Sequence, residues 1–522
     1  MTVVDRPARP ASFVPVGVAD GVRTSARRSP DKVALREGER ELTYRDLVER
    51  TNRVSNAVLD GLRLRPGDHS AIMAPNCLEF VEIALGLASA SVPPAMVNHR
   101  STASELAFIC NDSEARVLFV DAAHEELARS ADLRTVERIV VIGGDYDDWR
   151  DAARPGAPDV RVEEWDVFSI PYTAGTTGNP KGVLLPHRSR TLTFFAMGVE
   201  FGCYTPDDHA LGIAPMFHGA GFAFAVAPIF FGGTTTIMTK FDPEEVLRLL
   251  AEHRCTNVFM VPTFFSAIFG LGEETLCRYD TSALRAIISN AAPLSQAMKE
   301  RIVAHFGDGL LFECYGSTEK AIVTSLRPPD QLRKEQCVGQ PFPCTAIRLL
   351  DEDGREVPPG EVGELYARSP YLFNGYWRRP EDSARGFREG WFSAGDLARQ
   401  DDEGYVYLVD RKNDKIISGG VNIYPREVEE VLARHTAVAD VAVFGVPDDY
   451  WGEAVHAVVS LHAAQTATAE ELIAFCEERE LARFKLPKRI DFVEALPRNA
   501  AGKILRRELR APFWAGHERR IS

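Results

Sequence analysis

The chain has 522 residues and a formal net charge of −15, with 45% hydrophobic and 26% charged residues. It is too long for one simple core, so two or three domains are expected, and its composition is that of an ordinary globular protein. The acidic balance argues against a nucleic-acid-binding protein, which would present a basic face.

The N-terminal part of the chain, up to residue 173, predicts alternating helices and strands. Residues 1–15 carry three prolines and no apolar run, which predicts a disordered arm and no signal peptide. Thr43 is the expected cap of a helix at 44–62. The other predicted elements are a helix at 18–28, strands at 33–35, 40–42, 69–73, 94–97 and 117–120, helices at 77–90 and 104–112, an acidic loop at 143–164, and a strand at 166–172. Such alternation indicates a doubly wound parallel sheet.

A loop rich in Gly and Thr follows, between the strand at 166–172 and a second strand predicted at 182–185. Its candidate binding residues are Thr173, Gly175, Thr176, Thr177, Gly178 and Lys181. Glycines let the backbone approach a ligand, N–H groups and hydroxyls donate to phosphate oxygens, and lysine adds positive charge. The pattern is not the common P-loop, because Pro180 stands where that motif has its second glycine. We interpret it as a polyphosphate-binding loop; the alternative is a flexible hairpin.

Beyond this loop the alternation continues, and several predicted strands end in polar loops. The predicted elements are helices at 188–199 and 243–253, helices beginning at 222, 262 and 295, and strands at 210–214, 234–238, 257–261, 286–289 and 309–313. The apolar run at 211–233 contains two prolines and five glycines, which favours a buried strand and helix over a membrane span. The loops that carry His218, Asn290 and Glu319 follow strands. Because ligands bind at the carboxyl ends of strands in open α/β sheets, these loops are candidates for one site.

From residue 340 the pattern changes to short strands and turns, which predicts a small β-rich subdomain. Its strands are expected at 346–350, 363–367 and 405–409, and a charged linker follows at 410–415. A compact α+β unit comes next, with helices at 425–435 and 469–481 and strands at 440–446, 456–461 and 490–493. We therefore predict an N-terminal domain at 1–410, with the β-rich subdomain at about 340–410, and a C-terminal α+β domain at 411–522.

Residues 172–187 closely resemble the phosphate-binding signature of the adenylate-forming superfamily, which includes acyl-CoA and aryl-CoA synthetases, luciferases and peptide-synthetase adenylation domains. Ala174 stands where that signature usually has serine. Similar motifs follow in the family's order from about residue 40 to residue 507. The resemblance implies that the N-terminal domain binds ATP and an acid, and that the C-terminal domain is a mobile lid carrying the catalytic lysine.

The resemblance also implies roles for the residues closest to the chemistry. Thr318 would contact the α-phosphate, and Glu319 and Thr176 would hold Mg²⁺, which prefers one or two carboxylates together with phosphate oxygens. Lys503 would bridge the carboxylate and the α-phosphate, where negative charge develops during attack. His218 would lie beside the substrate carboxylate. Taken alone, each of these residues is typical of an ordinary surface or structural position.

Further binding residues are implied by the same resemblance. Asp396 and Arg411 would reach the ribose, and Asn413 marks the hinge of the lid. The adenine slot and its neighbouring motif would comprise Asn290, Ala291, Ala292, Pro293, Tyr315 and Gly316. The entry for the thiol would be lined by Ser418, Gly419 and Gly420. The acid pocket would be bounded by His218, Ala220, Phe222, Phe264, Asn290, Gly316, Ile322 and Val323.

Three residues depart from the family pattern. Asn290 replaces the commoner glycine and would shorten or polarise the acid pocket. Lys320 replaces a small residue; we expect its side chain to point to solvent, and the alternative is an extra positive charge near the acid pocket. Asn413 replaces Asp or Lys at the hinge, where motion often sets turnover.

These motifs lead to one main hypothesis and two alternatives. The main one is an AMP-forming acid–thiol ligase that uses ATP, Mg²⁺ and coenzyme A on a medium-chain fatty or aryl acid, because the expected pocket is apolar and modest in size. The first alternative keeps adenylation but passes the activated acid, or activated nitrite, to a carrier-protein thiol or an amine. The second is a non-catalytic nucleotide or acyl sensor.

The remaining expectations concern partners and compartment. Nine cysteines without a CxxC pair predict reduced thiols in a cytoplasmic protein, and neither a disulfide framework nor a zinc site. The expected partners are the acid and coenzyme A, with a carrier protein as the alternative acceptor. We expect no nucleic acid, no membrane span, and a monomer or homodimer.

Overall fold

The computed structural model describes residues 12–173, 180–412, 414–419, 421–448, 450–463, 465–479, 481–498 and 504–515. These residues fall into two compact units. The first comprises Met1–Ala346 and Ala367–Phe392, and the second comprises Ile347–Tyr366 and Ser393–Ser522. The domain division predicted at residue 410 stays a prediction.

The strands are numbered in chain order. Those up to the phosphate-loop segment are β1 (Val33–Glu37), β2 (Arg40–Thr43), β3 (His69–Met73), β4 (Pro94–Val97), β5 (Ala115–Asp121), β6 (Arg138–Ile142), β7 (Val167–Thr173), β8 (Lys181–Gly182) and β9 (Leu185–Pro186). Next come β10 (His209–Gly212), β11 (Thr234–Ile237), β12 (Asn257–Met260), β13 (Ala286–Ser289), β14 (Leu311–Ser317), β15 (Ala321–Leu326) and β16 (Gln340–Pro341). The last are β17 (Ala346–Leu350), β18 (Gly363–Arg368), β19 (Phe387–Arg388), β20 (Trp391–Phe392), β21 (Asp396–Gln400), β22 (Val406–Arg411), β23 (Ile416–Ser418), β24 (Val421–Ile423), β25 (Val438–Asp448), β26 (Gly452–Leu461) and β27 (Arg489–Phe492).

The α-helices are numbered in the same way. Those before β10 are α1 (Asp20–Arg28), α2 (Tyr44–Asn56), α3 (Leu78–Ser89), α4 (Ala103–Ser113), α5 (Glu125–Ser130), α6 (Tyr146–Asp151) and α7 (His187–Phe201). The others are α8 (Gly219–Phe230), α9 (Pro243–Glu252), α10 (Pro262–Phe269), α11 (Glu273–Leu276), α12 (Gln296–Phe306), α13 (Pro380–Gly386), α14 (Pro425–Leu432), α15 (Ala469–Glu478) and α16 (Arg506–Arg510). Among the helices that the structure describes, none is long and apolar enough to cross a membrane.

Two large sheets organise the first unit. One has the strand order β6-β5-β3-β4-β7-β8, with β9 also paired to β7, and the other has the order β16-β15-β14-β13-β12-β10-β11-β1-β2. Most neighbours in the middle of both sheets are parallel, while the pairs β1–β2, β7–β8 and β14–β15 are antiparallel. The order is not sequential, since helices connect the parallel strands. The predicted doubly wound α/β fold is therefore confirmed.

Burial explains why these strands read as apolar runs. Every residue of β3, β4, β12 and β13 is buried, as expected for parallel strands covered by helices on both faces. A hydrophobic cluster around β12 and β13 is formed with residues of α9, α10 and α12, among them Val246, Phe265 and Ile302. Each sheet therefore has its own core, and its strand ends can carry loops.

Several local predictions are confirmed and several are wrong. Thr43 caps α2 in a capping box with Asp46, but α2 ends at Asn56 and a π turn continues it to Gly61. The loop predicted at 143–164 contains α6, a six-residue helix too short to show a clear apolar period. The single strand predicted at 182–185 is two short strands, β8 and β9.

The second unit contains strands of two small sheets. Strands β17, β18, β21 and β22 belong to one of them. The other has the order β24-β23-β26-β25, with β27 also paired to β26, and β25 and β26 form a long antiparallel hairpin. Helices α14 and α15 contribute Val428 and Leu472 to the core of this unit. The predicted charged linker at 410–415 begins inside β22, where Asp410 is buried.

Candidate active site

The described ends of the candidate phosphate loop face each other in the first unit. Strand β7 ends at Thr173, and Thr173 is the direct partner of Lys181 in the antiparallel pair β7–β8. The predicted residues Gly175, Thr176, Thr177 and Gly178 lie outside the described residues. Their ligand-binding role stays a prediction.

The backbone that follows Lys181 is held by the segment 373–377. The N–H of Trp377 donates to the carbonyl of Gly182 at 2.8 Å, and the N–H of Leu184 donates to the carbonyl of Gly375 at 3.0 Å. Val183 and Tyr376 form an isolated antiparallel bridge. The segment 373–377 therefore fixes the exit of the loop and brings an aromatic side chain to it.

Lys181 has a fixed position in the structure. Its Nζ lies 2.7 Å from Oδ2 of Asp382 and 5.4 Å from the centre of the Tyr376 ring. The hydrogen bond from Lys181 holds the pKa of the Asp382 carboxyl below its ordinary value. The lysine is thus positioned by one carboxylate and one ring.

The same tyrosine contacts Glu319, the predicted metal ligand. Its hydroxyl donates to Oε1 of Glu319 at 2.8 Å, and Glu319 is 8% exposed. Tyr376 therefore links the predicted phosphate lysine and the predicted metal carboxylate, which lie 138 positions apart along the chain. We missed Tyr376 and Asp382 in the sequence, where the aromatic run at 373–377 was the only visible signal.

A tight hairpin presents Thr318 and Glu319 at the end of β14. Gly316 pairs with Ile322 and Ser317 pairs with Ala321 across a bulge. A Cβ on Gly316 would lie 1.9 Å from the carbonyl oxygen of Ala321, so no other residue fits there. Ala321 itself has a φ of +54°. The predicted residues Tyr315, Gly316, Thr318 and Glu319 are therefore placed on one rigid turn.

The expectation that Lys320 points to solvent is wrong. Its side chain is buried, with 1% exposed, and its Nζ donates to the hydroxyl of Tyr315 at 3.0 Å. The tight turn directs the side chain inward, and the phenol satisfies part of its hydrogen-bonding capacity. A positive charge consequently lies inside the hairpin that carries Glu319.

Asp112 at the end of α4 braces the base of the loop. Its Oδ2 accepts from the hydroxyl of Tyr172 at 2.8 Å, and its Oδ1 accepts from Arg379 at 2.9 Å. The indole N–H of Trp377 donates to the Asp112 carbonyl at 2.8 Å. One residue therefore joins the strand before the loop to the segment that holds the strand after it.

The turn at 290–293 is strained and anchored. Asn290 follows β13, and its Oδ1 accepts from the N–H of Ala291 at 2.5 Å. Ala291 has a φ of +76°, a left-handed conformation that costs an alanine about 1–3 kcal/mol. The N–H of Leu294 donates to Glu313, which forms a buried ion pair with Lys299 at 2.5 Å. Local strain of this kind concentrates at functional sites, and Ala292 and Pro293 lie in the same turn.

The predicted acid-pocket residues are only partly brought together by one cavity. His218 immediately precedes α8, and burial lowers its pKa to about 4. A cavity of about 10 Å³ is lined by Met96, Phe168, Ser169, Pro171, Arg190, Met216, Phe217, His218, Gly219 and Phe222. Of the predicted pocket, only His218 and Phe222 line it; Ala220, Phe264, Asn290, Gly316, Ile322 and Val323 do not. Phe264 stacks on Phe241 with ring centres 4.1 Å apart.

Arg190 is the residue of this cavity that we missed in the sequence. It lies on α7 and is 8% exposed, and its guanidinium carbon lies 5.6 Å from the centre of the Phe168 ring. Burial lowers its pKa to about 10, so it stays charged at neutral pH. The sequence carries no signal for it, since a charged residue near the start of a helix is typical of a solvent-facing position.

The second unit contains the predicted ribose residues. Asp396 and Arg411 are direct partners in the antiparallel pair β21–β22, with Nε of Arg411 3.4 Å from Oδ1 of Asp396. Asp396 is 8% exposed. The structure thus places the two residues side by side, although fourteen residues separate them in the sequence.

The candidate thiol entry also lies in the second unit. Gly419 has a φ of +56°, and a Cβ there would lie 2.7 Å from the ring of Trp451. The N–H of Gly419 donates to the Trp451 carbonyl at 2.8 Å, and Ser418 pairs with Gly452. Gly420, Asn413 and Lys503 lie outside the described residues, so their roles stay predictions.

The side chains present fit a magnesium ion only together with a ligand. Within the described ranges, no group of three or more His, Cys, Asp and Glu side chains could hold a metal ion by itself. Glu319 offers one carboxylate, oriented by Tyr376. Because Mg²⁺ is commonly bound by one or two carboxylates and substrate phosphates, Glu319 suits an ion that arrives with a nucleotide.

Comparisons with known proteins agree over almost the whole chain. A family model described as "AMP-binding enzyme" matches residues 22–377, and one described as "AMP-binding enzyme C-terminal domain" matches residues 427–503. A feruloyl-CoA synthase from Amycolatopsis sp is 38% identical over 94% of this chain and 97% of its own. A fatty acid–[acyl-carrier-protein] ligase, ScoC from Streptomyces coeruleorubidus, is 34% identical over 95% and 96%.

A solved structure is similar over the same length. The crystal structure of ATP-bound MatB from Rhodopseudomonas palustris superposes with a TM-score of 0.86 and 30% identity, over 95% of this chain and 100% of that one. The likeness therefore extends to both the fold and the sequence.

Proposed function

The chain belongs to the AMP-binding enzyme family and is an ATP-dependent, AMP-forming ligase, and from that premise we propose that it joins a medium-chain fatty or aryl acid to coenzyme A. The observation that carries the proposal is the contact of Tyr376 with both Lys181 and Glu319. That contact sets a cation beside the ring of Tyr376 and a carboxylate at its hydroxyl, and a nucleotide triphosphate with its metal needs both charges.

In the first step a carboxylate oxygen of the acid attacks the α-phosphorus of ATP. A bond forms between them, the bond to the β-phosphate oxygen breaks, and pyrophosphate leaves with the electron pair. Lys181 and the loop at 173–178 bind the phosphates, Thr318 contacts the α-phosphate, and Lys503 neutralises charge at the reacting oxygens. Glu319 and Thr176 hold Mg²⁺, which supplies charge neutralisation on the phosphates when bound.

In the second step the coenzyme A sulfur attacks the acyl carbonyl. The thiol proton is lost to solvent, the carbon–oxygen bond to AMP breaks, and the thioester and AMP are released. Ser418, Gly419 and Gly420 line the thiol's entry after the lid turns at Asn413. Asp396 and Arg411 hold the ribose, and their paired positions on β21 and β22 support this assignment.

The acid class is supported by apolar side chains and by one relative. Phe222, which lines the cavity beside His218, is buried, which favours an acid with an apolar body. The feruloyl-CoA synthase that is 38% identical to this chain is named for an aryl acid. A medium-chain fatty or aryl acid fits both observations.

A second acceptor is favoured by a specific relative. ScoC, 34% identical to this chain, is named as a ligase that joins a fatty acid to an acyl-carrier protein. Both acceptors present the same thiol chemistry, so the first step is common to the two candidates. The acceptor therefore has to be decided by product analysis.

The proposal is tested by acid-dependent exchange of pyrophosphate into ATP over a panel of fatty and aryl acids. Mass spectrometry then identifies the product with coenzyme A and, separately, with an acyl-carrier protein. Exchange with an acyl-CoA product supports the proposal and identifies the acid. Exchange that yields a thioester only with the carrier protein replaces coenzyme A by the second acceptor, and no exchange with any acid contradicts adenylation.

Replacing Lys503 tests the assignment of the lid lysine. We expect Lys503→Gln to lower the exchange rate by about 10²–10³-fold, because a cation at the reacting oxygens is lost. Arg507→Gln is the matched control, since it removes the same charge from an exposed position four residues away. Equal rates for the wild type and Lys503→Gln would contradict the assignment.

A further inference from the structure

Arg190 differs from the other buried cations of the protein. Four described lysines and arginines are less than a tenth exposed: Arg150, Arg190, Lys299 and Lys320. Lys299 pairs with Glu313, Arg150 pairs with Glu82, and Lys320 donates to a phenol. Among the residues that the structure describes, no carboxylate pairs with Arg190 and no oxygen accepts a hydrogen bond from it; its Nε is enclosed without a partner.

The contacts that Arg190 does make leave its charge uncompensated. The Phe168 ring lies 5.6 Å from its guanidinium carbon, a distance at which a cation–π interaction offsets only part of the loss of hydration. The undescribed residues 174–179, which follow β7, contain no acidic side chain. No protein carboxylate in these parts of the chain supplies the missing counter-charge.

The guanidinium lines the cavity that also holds His218. The Nε2 of His218 is buried and has no partner within the described part of the chain. Since burial lowers the pKa of His218 to about 4, the imidazole is neutral at pH 7 and can donate a hydrogen bond from one nitrogen. The cavity therefore offers a planar cation and a neutral donor, surrounded by Phe168, Phe217 and Phe222.

We propose that Arg190 forms an anion subsite at the end of the acid pocket, and that the acid carries a second carboxylate which pairs with its guanidinium. This inference rests on the proposed function and narrows its substrate to a dicarboxylic acid with an apolar or aryl body. A guanidinium presents two parallel N–H donors that match a carboxylate. The reacting carboxylate is assigned to Lys503 and the α-phosphate. His218, which the family resemblance placed beside that carboxylate, lines the cavity of Arg190 and is assigned here to the second one.

The cavity of about 10 Å³ holds no more than a water molecule. Binding of the second carboxylate therefore moves the side chains that close the cavity. Side-chain rotamer changes of this kind are common when a ligand binds. Phe217 and His218 follow β10 in a loop, and they are the side chains we expect to move.

The test compares matched mono- and dicarboxylic acids of equal length in pyrophosphate exchange. We expect the wild type to prefer the diacid of at least one pair. Arg190→Met should lower kcat/KM for that diacid by about 100-fold, as for the loss of one partner from a buried charge pair, and change the value for the monoacid by less than about threefold. The specificity of the enzyme is thus expected to invert.

Two results would overturn the subsite. One is an equal loss for both members of a pair, since Arg190 would then act on the reacting carboxylate or on the fold. The other is a wild-type enzyme that prefers every monoacid. Exchange with monoacids alone contradicts only this inference, whereas no exchange with any acid contradicts the proposed function itself.

Thermal unfolding supplies a readout that does not depend on turnover. Without ligand, Arg190→Met should melt at a higher temperature than the wild type, because an unpaired buried charge is replaced by an apolar side chain of similar length. The diacid should raise the melting temperature of the wild type and not that of the variant. Lys299→Met is the control and should melt lower, since it leaves Glu313 buried and unpaired. A lower melting temperature for Arg190→Met would contradict the subsite.

Discussion

The two ends of the candidate site in the first unit differ in whether their polar and charged side chains have protein partners. At the phosphate end, which comprises Lys181, Glu319, Tyr376 and Asp382, each ionised group contacts a protein partner. At the acid end, which comprises Arg190, His218 and their cavity, the described residues offer neither group a partner for its enclosed nitrogen. The difference indicates that the phosphate end is preorganised, while the acid end leaves a positive charge for its ligand to neutralise.

The physical reason is that the nucleotide is the same ligand in every reaction, whereas the acid is the ligand that has to be selected. A hydrogen bond to a charged group contributes about 1.5–3 kcal/mol, so Tyr376 holds Glu319 in place before a nucleotide arrives. Burying an unpaired charge opposes folding, and that cost is recovered only when an anion binds. A counter-charge supplied by the substrate makes binding selective for acids that carry it.

The largest effect on the phosphate end is expected from a substitution of Glu319. We expect Glu319→Gln to lower the rate of pyrophosphate exchange by about 10²–10³-fold, because the amide keeps the oxygen that accepts from Tyr376 and loses the charge that holds Mg²⁺. The rate is measured at several magnesium concentrations. A variant whose rate equals that of the wild type at every concentration would remove Glu319 from the metal site.

Tyr376→Phe tests the hydrogen bond between Tyr376 and Glu319 at the same phosphate end, and a smaller effect is expected. The ring beside Lys181 remains, while the hydrogen bond to Glu319 is lost. We expect about a tenfold lower kcat, as for the loss of about 1.5 kcal/mol of orientation, with unfolding in denaturant little changed. Tyr407→Phe removes a hydroxyl from the second unit, where it donates to Asp401, and serves as the control. A Tyr376→Phe enzyme with unchanged kcat would show that the link between Lys181 and Glu319 has no role in turnover.

A third prediction concerns the acid end and the dependence of its stability on pH. His218 has a pKa of about 4 in the folded protein and an ordinary value of 6.5, so the unfolded chain binds more protons between these values. The stability that neutral His218 contributes is present above pH 6.5 and is lost as the pH falls toward 4, by up to about 3 kcal/mol.

The measurement is the free energy of unfolding at pH 5 and pH 7 for the wild type and His218→Gln. We expect the wild type to lose more stability than the variant between the two values. His187 and His209, whose pKa values burial lowers to about 3 and about 4, contribute equally to both proteins. If the free energy of unfolding of the wild type and of His218→Gln changed equally between the two pH values, His218 would be solvated or paired, and the contrast between the two ends of the site would be wrong.

The fold followed from the sequence because its signals are local. The spacing of apolar residues predicted β13 at 286–289, which the structure reproduces, and the hydroxyl of Thr43 predicted the start of α2. Fully buried parallel strands read as continuous apolar runs. The order of the motifs along the chain was sufficient for the family.

The contacts that define the site did not follow from the sequence, because they join residues far apart along the chain. Lys181 meets Asp382, and Glu319 meets Tyr376, only after the sheets have formed. Lys320 looked exposed and is buried, since its direction depends on the turn around Gly316.

The sequence by itself determined the class of the fold and the order of its motifs, and it indicated Lys181 and Glu319 of the phosphate end. Only the tertiary structure decided which charges are partnered. Periodicity reports whether a position faces a core, and it contains no information on what the facing element supplies. Arg190 is the clearest case. In the sequence it is one more charged residue near the start of α7. In the structure it lines a cavity with His218 as a buried cation whose partner must come from outside the described chain.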